Sequence, residues 1–267
     1  MGMPTANDAV DAILIFGGDG TIHRHLGQLS RLEIPVLVVP AGSGNDFARS
    51  LGLKRISDSL TVWKKFYGRR DARPVDLGII NPVGNADDRV SPSRLFCCVA
   101  GVGLDGEVAR RANALPRWLR GHGGYVLSLA PTIFTFAPLP IKISVEHNGA
   151  DQNEGWEVRS QKPTMLAAFA NTSVYGDGMK IAPRAKMDDG LLDICVVAGV
   201  DPFKLFWMFP SVYSGRHLKI REVEYFTAAK VRVETERPMD IYADGEFVCQ
   251  TPVEIGIKPG GLKVITP

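Results

Sequence analysis

Ala12-Ile13-Leu14-Ile15-Phe16-Gly17-Gly18-Asp19-Gly20-Thr21 is a short apolar run that ends in a glycine-rich turn. Residues 12–16 show no polar alternation, which predicts a strand buried on both faces, as in a parallel sheet. Ile22, Leu26 and Leu29 follow at helical spacing, so Thr21 is expected to open a helix. Glycines at such a turn let backbone approach a ligand, because no Cβ intrudes. Free N–H groups at a helix start favour an anion, and phosphate is the natural candidate. Asp19 adds a carboxylate whose use beside phosphate is to hold or orient Mg2+. A tight turn with Asp19 as an N-cap accounts for the same residues.

A second strand–turn–helix lies downstream. Val36-Leu37-Val38-Val39-Pro40 is again apolar throughout. Ala41-Gly42-Ser43-Gly44-Asn45-Asp46 follows, and Phe47-Ala48-Arg49-Ser50-Leu51 begins a helix. Ser43, Asn45 and Asp46 are all good capping residues. In open α/β sheets ligands sit beyond the carboxyl ends of the strands. Both turns leave such ends, so they can line one crevice.

Gly17-Gly18-Asp19-Gly20-Thr21 followed by Pro40-Ala41-Gly42-Ser43-Gly44-Asn45-Asp46-Phe47-Ala48-Arg49 resembles the catalytic domain of the diacylglycerol kinase family, best in its bacterial lipid-kinase branch. The first motif alone is shared with NAD kinases. The second is more specific, and later matches extend the resemblance over essentially the whole chain. It implies an α/β nucleotide-binding domain over 1–73 and a β-sandwich lipid-binding domain over 74–267, whose last segment can return to the first. It also implies ATP and Mg2+ as cofactors. Nucleotide contacts would come from Gly17, Gly18, Asp19, Gly20, Thr21, Ser43 and Asn45.

Two departures from the family stand out. Relatives carry about one further βαβ unit ahead of this point, with an Asn-Pro-x-x-Gly phosphate loop, and no such loop precedes Gly17. The nucleotide domain therefore reads as N-terminally shortened. Many relatives also have Asn-Glu where this chain has His23-Arg24. Arg24 can reach a phosphate from the first helical turn, but a solvated helix face suits both residues better.

Composition is that of a soluble globular protein, and a net charge of +2 gives no case for nucleic acid. Cys97, Cys98, Cys195 and Cys249 form no C-x-x-C pair and read as buried thiols of a reducing compartment. No apolar run approaches about 20 residues and no signal peptide is legible, so a cytoplasmic location is expected.

A helix is expected over residues 57–67. The basic run Lys64, Lys65, Arg69, Arg70 and Arg73 behind it reads as a solvated face in preference to an anionic-lipid contact. Beyond it the pattern turns to strands: residues 75–80, 95–101, 141–147, 156–160, 165–171, 191–197, 230–235 and 240–243, then 253–257 and 262–265 split by Pro259-Gly260-Gly261. Two apolar helices, over 125–136 and 202–213, interrupt them. They cover the ends of a sandwich, or offer a wall for an acyl chain or a contact with a membrane surface. Arg110, Arg111, Arg117 and Arg120 with Trp118 suit a bilayer interface weakly. Asp105 either faces the cleft or caps a turn.

Asn171-Thr172-Ser173-Val174-Tyr175-Gly176-Asp177-Gly178-Met179 and the acidic turn Lys186-Met187-Asp188-Asp189-Gly190-Leu191 mark the second domain. Such a turn can offer carbonyls and one carboxylate to a hard cation, or be a plain β-turn. By resemblance the ligands of a structural Mg2+ are the Lys186 carbonyl, the Asp189 carboxylate and the Leu191 carbonyl. Ala243-Asp244-Gly245-Glu246 is a hairpin signal. By resemblance Glu246 is the catalytic base for the lipid hydroxyl, acting with Asp19. Asp244, the rival, is expected to close its turn on nearby backbone. The activity implied is transfer of the γ-phosphoryl group of ATP to a lipid hydroxyl such as that of diacylglycerol. The alternatives are an NAD kinase-like enzyme or a catalytically inactive relative that binds nucleotide or lipid.

Overall fold

Strand β1 (Ile13–Gly17) lies parallel to β2 (Val36–Pro40) in the computed structural model, with Ile13 opposite Val36 and Gly17 opposite Pro40. The structure describes residues 4–5, 8–84, 93–115, 124–147, 155–176 and 178–267. The expectation for β1 needs correction. Val36 to Val39 are all buried, but β1 alternates, leaving Leu14 and Phe16 exposed. An apolar run this short reads alike at the centre and at the margin of a sheet, and among the described residues β1 is a margin strand.

Helix α1 (Asp19–Leu32) starts two residues earlier than expected and packs Ile22, Leu26 and Leu29 inward. It stops at Glu33, which takes the left-handed conformation. The short α2 (Asp46–Ser50) buries Asp46, Phe47 and Ala48. Helix α3 (Ile56–Arg69) starts where Asp58 accepts the N–H groups of Lys54 and Arg55, and its Ser59 hydroxyl donates to the Val38 carbonyl at 2.9 Å.

Strands then dominate: β3 (Arg73–Pro82), β4 (Arg94–Phe96), β5 (Val99–Gly103), β6 (Leu139–His147), β7 (Gly155–Ala170), β8 (Leu192–Ala198), β9 (Val223–Ala228), β10 (Lys230–Thr235), β11 (Asp240–Ala243), β12 (Glu246–Gln250) and β13 (Val253–Val264). Helices α4 (Leu104–Ala114), α5 (Gly124–Thr135) and α6 (Pro202–Met208) are interposed, the last running on into tight 3-10 turns over Phe209–Ser214 and Arg216–Lys219. The class is thus α/β followed by β, as the sequence implies.

All these strands join one hydrogen-bonded network, ordered β1-β2-β13-β10-β6-β7-β5-β11-β12, with β3 and β4 branching from β13, and β8 and β9 from β7. Strand β13 runs antiparallel to β3 and β10, then ends beside β2, where Val264 pairs with Val36 and the Ile265 N–H donates to the Val36 carbonyl at 2.9 Å. The break expected at Pro259-Gly260-Gly261 is a register shift inside β13. Gly260, at φ +57°, turns its N–H to Asp76 Oδ1 at 2.8 Å.

Two further boundaries differ for stated reasons. The run 95–101 breaks into β4 and β5 because the N–H groups of Cys97 and Cys98 bond the Asp244 carboxylate instead of a neighbouring strand. The runs 156–160 and 165–171 fuse into β7, which shifts register near Thr164 and so passes Pro163 without losing its partners. Helix α4 and strands β9 and β12 lie outside the runs expected from sequence.

Candidate active site

The two glycine turns meet backbone to backbone. A Cβ on Gly18 would lie 2.3 Å from the Gly44 carbonyl oxygen, and one on Gly42 would lie 2.4 Å from Gly18 Cα. Neither position can carry a side chain while the turns stay together. The Ala41 N–H donates to the Gly17 carbonyl at 3.2 Å, and the Asp19 N–H donates to the Gly44 carbonyl at 3.1 Å. These glycines therefore serve the contact between the turns as well as any approach to a ligand.

Asp19 crosses that seam. Its carboxylate accepts the N–H groups of Asp46, at 2.9 Å, and Phe47, at 3.1 Å. It is the N-terminal cap of α2, supplied from the other turn. Burial pushes its pKa up to about 6, against the pull of the two N–H groups, and the nearby charges of Asp46 and Asp244 add to the rise. Asn45 folds back on Gly42, donating to its carbonyl at 2.7 Å and accepting its N–H at 3.2 Å, while Ser43 is exposed. Gly20 and Thr21 are exposed at the start of α1, where the Thr21 N–H turns back to the Gly18 carbonyl at 2.9 Å. Some of the helix-start N–H groups expected to face a ligand are thus already bonded within the turns. Asp46 is buried, pairs with Arg49, and accepts the Gly178 N–H at 3.2 Å. That bond ties the second turn to the 171–179 segment.

The hairpin turn between β11 and β12 comes to the same place. Asp244 and Gly245 both take positive φ, 51° and 84°, as a tight two-residue hairpin turn requires. Glu246 is exposed, and a Cβ on Gly20 would sit 3.8 Å from its Oε1. Glu246 and Gly20 of the first glycine turn therefore share one cleft, lined also by His23, Arg24, Arg94, Phe247 and Lys258.

Asp244 does not close its own turn. Its fully buried carboxylate accepts the Cys98 N–H at 2.8 Å, the Cys97 N–H at 2.9 Å, the Cys97 thiol at 3.3 Å and His23 Nδ1 at 3.1 Å. Burial alone would raise its pKa, but His23 and the backbone donors outweigh it and hold the group below the usual carboxylate value. Cys97, Cys98 and Asp244 are also the one three-residue cluster of ligating side chains among the described residues. Against its hydrogen bond with Cys97, burial pushes the Cys98 thiol up to about 12, and burial also raises Cys97, whose thiol donates to Asp244. Cys249, expected to be buried, is half-exposed.

His23 corrects the reading of a solvated face. One helical turn after Gly20, it points at the cleft with only 17% of its side chain exposed. The i, i+3 spacing from Gly20 was the available signal. Its partner Asp244 was hidden by a sequence separation of 221. Arg24 is exposed and lines the same cleft.

The acidic turn lies elsewhere. Asp189 is exposed and accepts the Leu191 N–H at 3.1 Å through Oδ1, and Lys186 is exposed. Gly190, at φ +73°, donates its N–H to Asp76 Oδ2 at 2.8 Å, and the Asp76 N–H donates to the Met187 carbonyl at 2.6 Å. With that N–H removed from the turn, the carboxylate of Asp189 and the carbonyls of Lys186 and Leu191 are hard oxygen donors of the kind Mg2+ takes.

An apolar cavity lies between α4, α5, α6 and the sheet, lined by Leu104, Leu129, Ile133, Met165, Met208 and Phe209 among others. Asp105 stands on its wall, buried, accepting the Tyr175 hydroxyl at 3.1 Å. His217 stands on another wall. Helix α6 has no buried residue although five of its seven side chains are apolar and large. Phe203, Phe206 and Trp207 are exposed, with the Phe134 ring 5.2 Å from that of Phe203. Arg117, Trp118, Arg120 and Asp177 lie outside the described residues, and Lys64, Lys65, Arg69, Arg70 and Arg73 are exposed.

Residues 3–80 match the diacylglycerol kinase catalytic domain, and residues 98–266 match the YegS C-terminal NAD kinase beta sandwich-like domain. A diacylglycerol kinase of Mycobacterium tuberculosis is 34% identical over 96% of this chain and 77% of its own length. A diacylglycerol kinase of Bacillus subtilis is 26% identical over 96% of this chain and 78% of its own. The crystal structure of a diacylglycerol kinase from Bacillus anthracis, 21% identical, superposes with a TM-score of 0.64 over 97% of this chain and 77% of that one, a likeness of fold.

Proposed function

The chain belongs to the diacylglycerol kinase family of lipid kinases, and from that premise we propose that it transfers the γ-phosphoryl group of ATP to the free hydroxyl of a diacylglycerol. Phosphoryl transfer asks a protein mainly for positioning and charge neutralisation. The observation that carries the proposal is the proximity of Glu246 Oε1 to Gly20, which brings a carboxylate to the turn that would hold the phosphates. In this reading Gly17, Gly18, Gly20, Thr21, Ser43 and Asn45 hold the nucleotide, and Asp19 keeps the two turns locked. Glu246 takes the proton of the lipid hydroxyl as the new P–O bond forms and the bond to the ADP oxygen breaks. Asp244 is a poor base, since donors already fill its carboxylate.

Mg2+ at the nucleotide would neutralise phosphate charge. A second, structural Mg2+ would take the Lys186 and Leu191 carbonyls and the Asp189 carboxylate. The lipid would be met at a membrane surface. The unburied apolar side of α6 with Phe134 supports that contact, and among the described residues no helix is long and apolar enough to cross a membrane.

The test is γ-labelled ATP with vesicles carrying in turn dioleoylglycerol, ceramide, sphingosine, an isoprenoid alcohol or phosphatidylglycerol alone, and with NAD in solution. Label is expected in phosphatidic acid. Label in NAD, in another lipid, or in none of them while ATP still binds would overturn the proposal.

A further inference from the structure

His23 Nδ1 lies 3.1 Å from Asp244 Oδ2, and that carboxylate is wholly buried. A carboxylate held ionised by three other donors can only accept, so Nδ1 carries the hydrogen. In the neutral ring Nε2 is then the lone-pair nitrogen. His23 lines the cleft that contains Glu246 and Gly20, one helical turn from Gly20 on α1. An aspartate that fixes a histidine tautomer leaves the other ring nitrogen with a lone pair able to accept a proton.

We propose that His23, anchored by Asp244, is a second proton-handling group of the cleft, taking up through Nε2 the proton that Glu246 removes from the acceptor hydroxyl. This rests on the kinase reading above. The O–H bond of the acceptor breaks as its oxygen bonds phosphorus, and the ADP oxygen leaves with the electron pair of the broken bond. The proton passes from the Glu246 carboxylate to Nε2, and the imidazolium that forms is stabilised by Asp244. No outside reactant is needed.

The charged groups facing the imidazole from other elements are Asp244 from the β11–β12 turn, Glu246 from β12 and Arg94 from β4. Burial favours the neutral ring, but the bond and charge of Asp244, with Glu246 adding, outweigh burial and Arg94, so the ring titrates above the ordinary histidine value. Turnover should therefore rise with pH through a midpoint above about 6.5. Glutamate beside an imidazole that titrates in this range has a nearby place to pass its proton.

His23→Asn separates this role from a structural one. Asparagine can keep a donor at the Nδ1 position for Asp244 but has nothing at Nε2. With the lipid acceptor that the wild-type protein labels, His23→Asn is expected to lower kcat roughly 100-fold. It should also lose the rise with pH, while ATP affinity and thermal stability stay near wild type. Full kcat with an unchanged pH profile would mean that His23 only holds Asp244, and would overturn the inference. Full activity in Glu246→Gln would instead sink the base assignment itself. A readout free of turnover is nitrogen-15 NMR of the imidazole, where a neutral ring protonated at Nδ1 is expected, with a midpoint above the ordinary value. A ring protonated at Nε2, or one that does not titrate between about pH 5 and 8, would overturn the proposal equally.

Discussion

The Asp19 carboxylate accepts the Asp46 N–H at 2.9 Å across 27 residues of chain, so the first glycine turn caps the helix that the second one opens. An aspartate read as a ligand-facing group is thereby also a structural one. Asp19→Ala should lower stability by about 1–2 kcal/mol, the scale of a lost helix cap, as well as abolish turnover. Urea denaturation measures the first effect, and an unchanged midpoint would show that the cap carries no weight.

Glu246 is exposed and opens β12, so its removal should cost activity and not stability. Glu246→Gln is expected to reduce kcat by roughly 100-fold or more, with ATP affinity by calorimetry and thermal midpoint near wild type. ATP binding lost in step with turnover would move the group to the nucleotide side.

Asp189→Ala removes the carboxylate of the acidic turn. If Mg2+ sits there in the folded state alone, millimolar Mg2+ raises the melting temperature of the wild-type protein and not of the variant. Equal curves with and without Mg2+ for both proteins would exclude the site.

His217 gives a pH dependence of stability. Its Nε2–H donates to the Ile181 carbonyl at 3.0 Å, and burial depresses its pKa below the ordinary histidine value. The folded state thus favours the neutral ring. The stability this contributes is complete above the ordinary value of about 6.5 and is lost as pH falls through the depressed one. His217→Leu should flatten that acid-side decline in the melting temperature. An unchanged slope would place the decline on other groups.

Local chemistry made much of the chain legible. The two apolar runs with glycine turns, the inward stripe of Ile22, Leu26 and Leu29, and the Asp-Gly hairpin each carry their signal within a few residues. What stayed hidden depends on distant partners. Nothing near Cys97 and Cys98 says that their N–H groups leave the strand ladder for Asp244. Nothing near His23 says that the same carboxylate bonds its ring. The exposure of Leu14 and Phe16 was equally unreadable, since an apolar pentapeptide looks the same whether its outer face is covered or not. Glu246 was a candidate by resemblance, its turn reading locally as a plain hairpin, and its nearness to Gly20 required the fold.

Strand β13 meets β2 only in its last residues, where Val264 reaches Val36 and Lys263 reaches Glu33. During synthesis the ribosome therefore releases β1 and β2 long before β13 exists. Until Val264 and Ile265 emerge, β2 has one flank open, and a partly made chain carries an unpaired apolar edge that other nascent chains can join. Such distant pairing also makes folding slow relative to a helical protein of this size. Because both glycine turns precede β13 in the chain, the open flank of β2 beside them is covered only once that distant segment is in place.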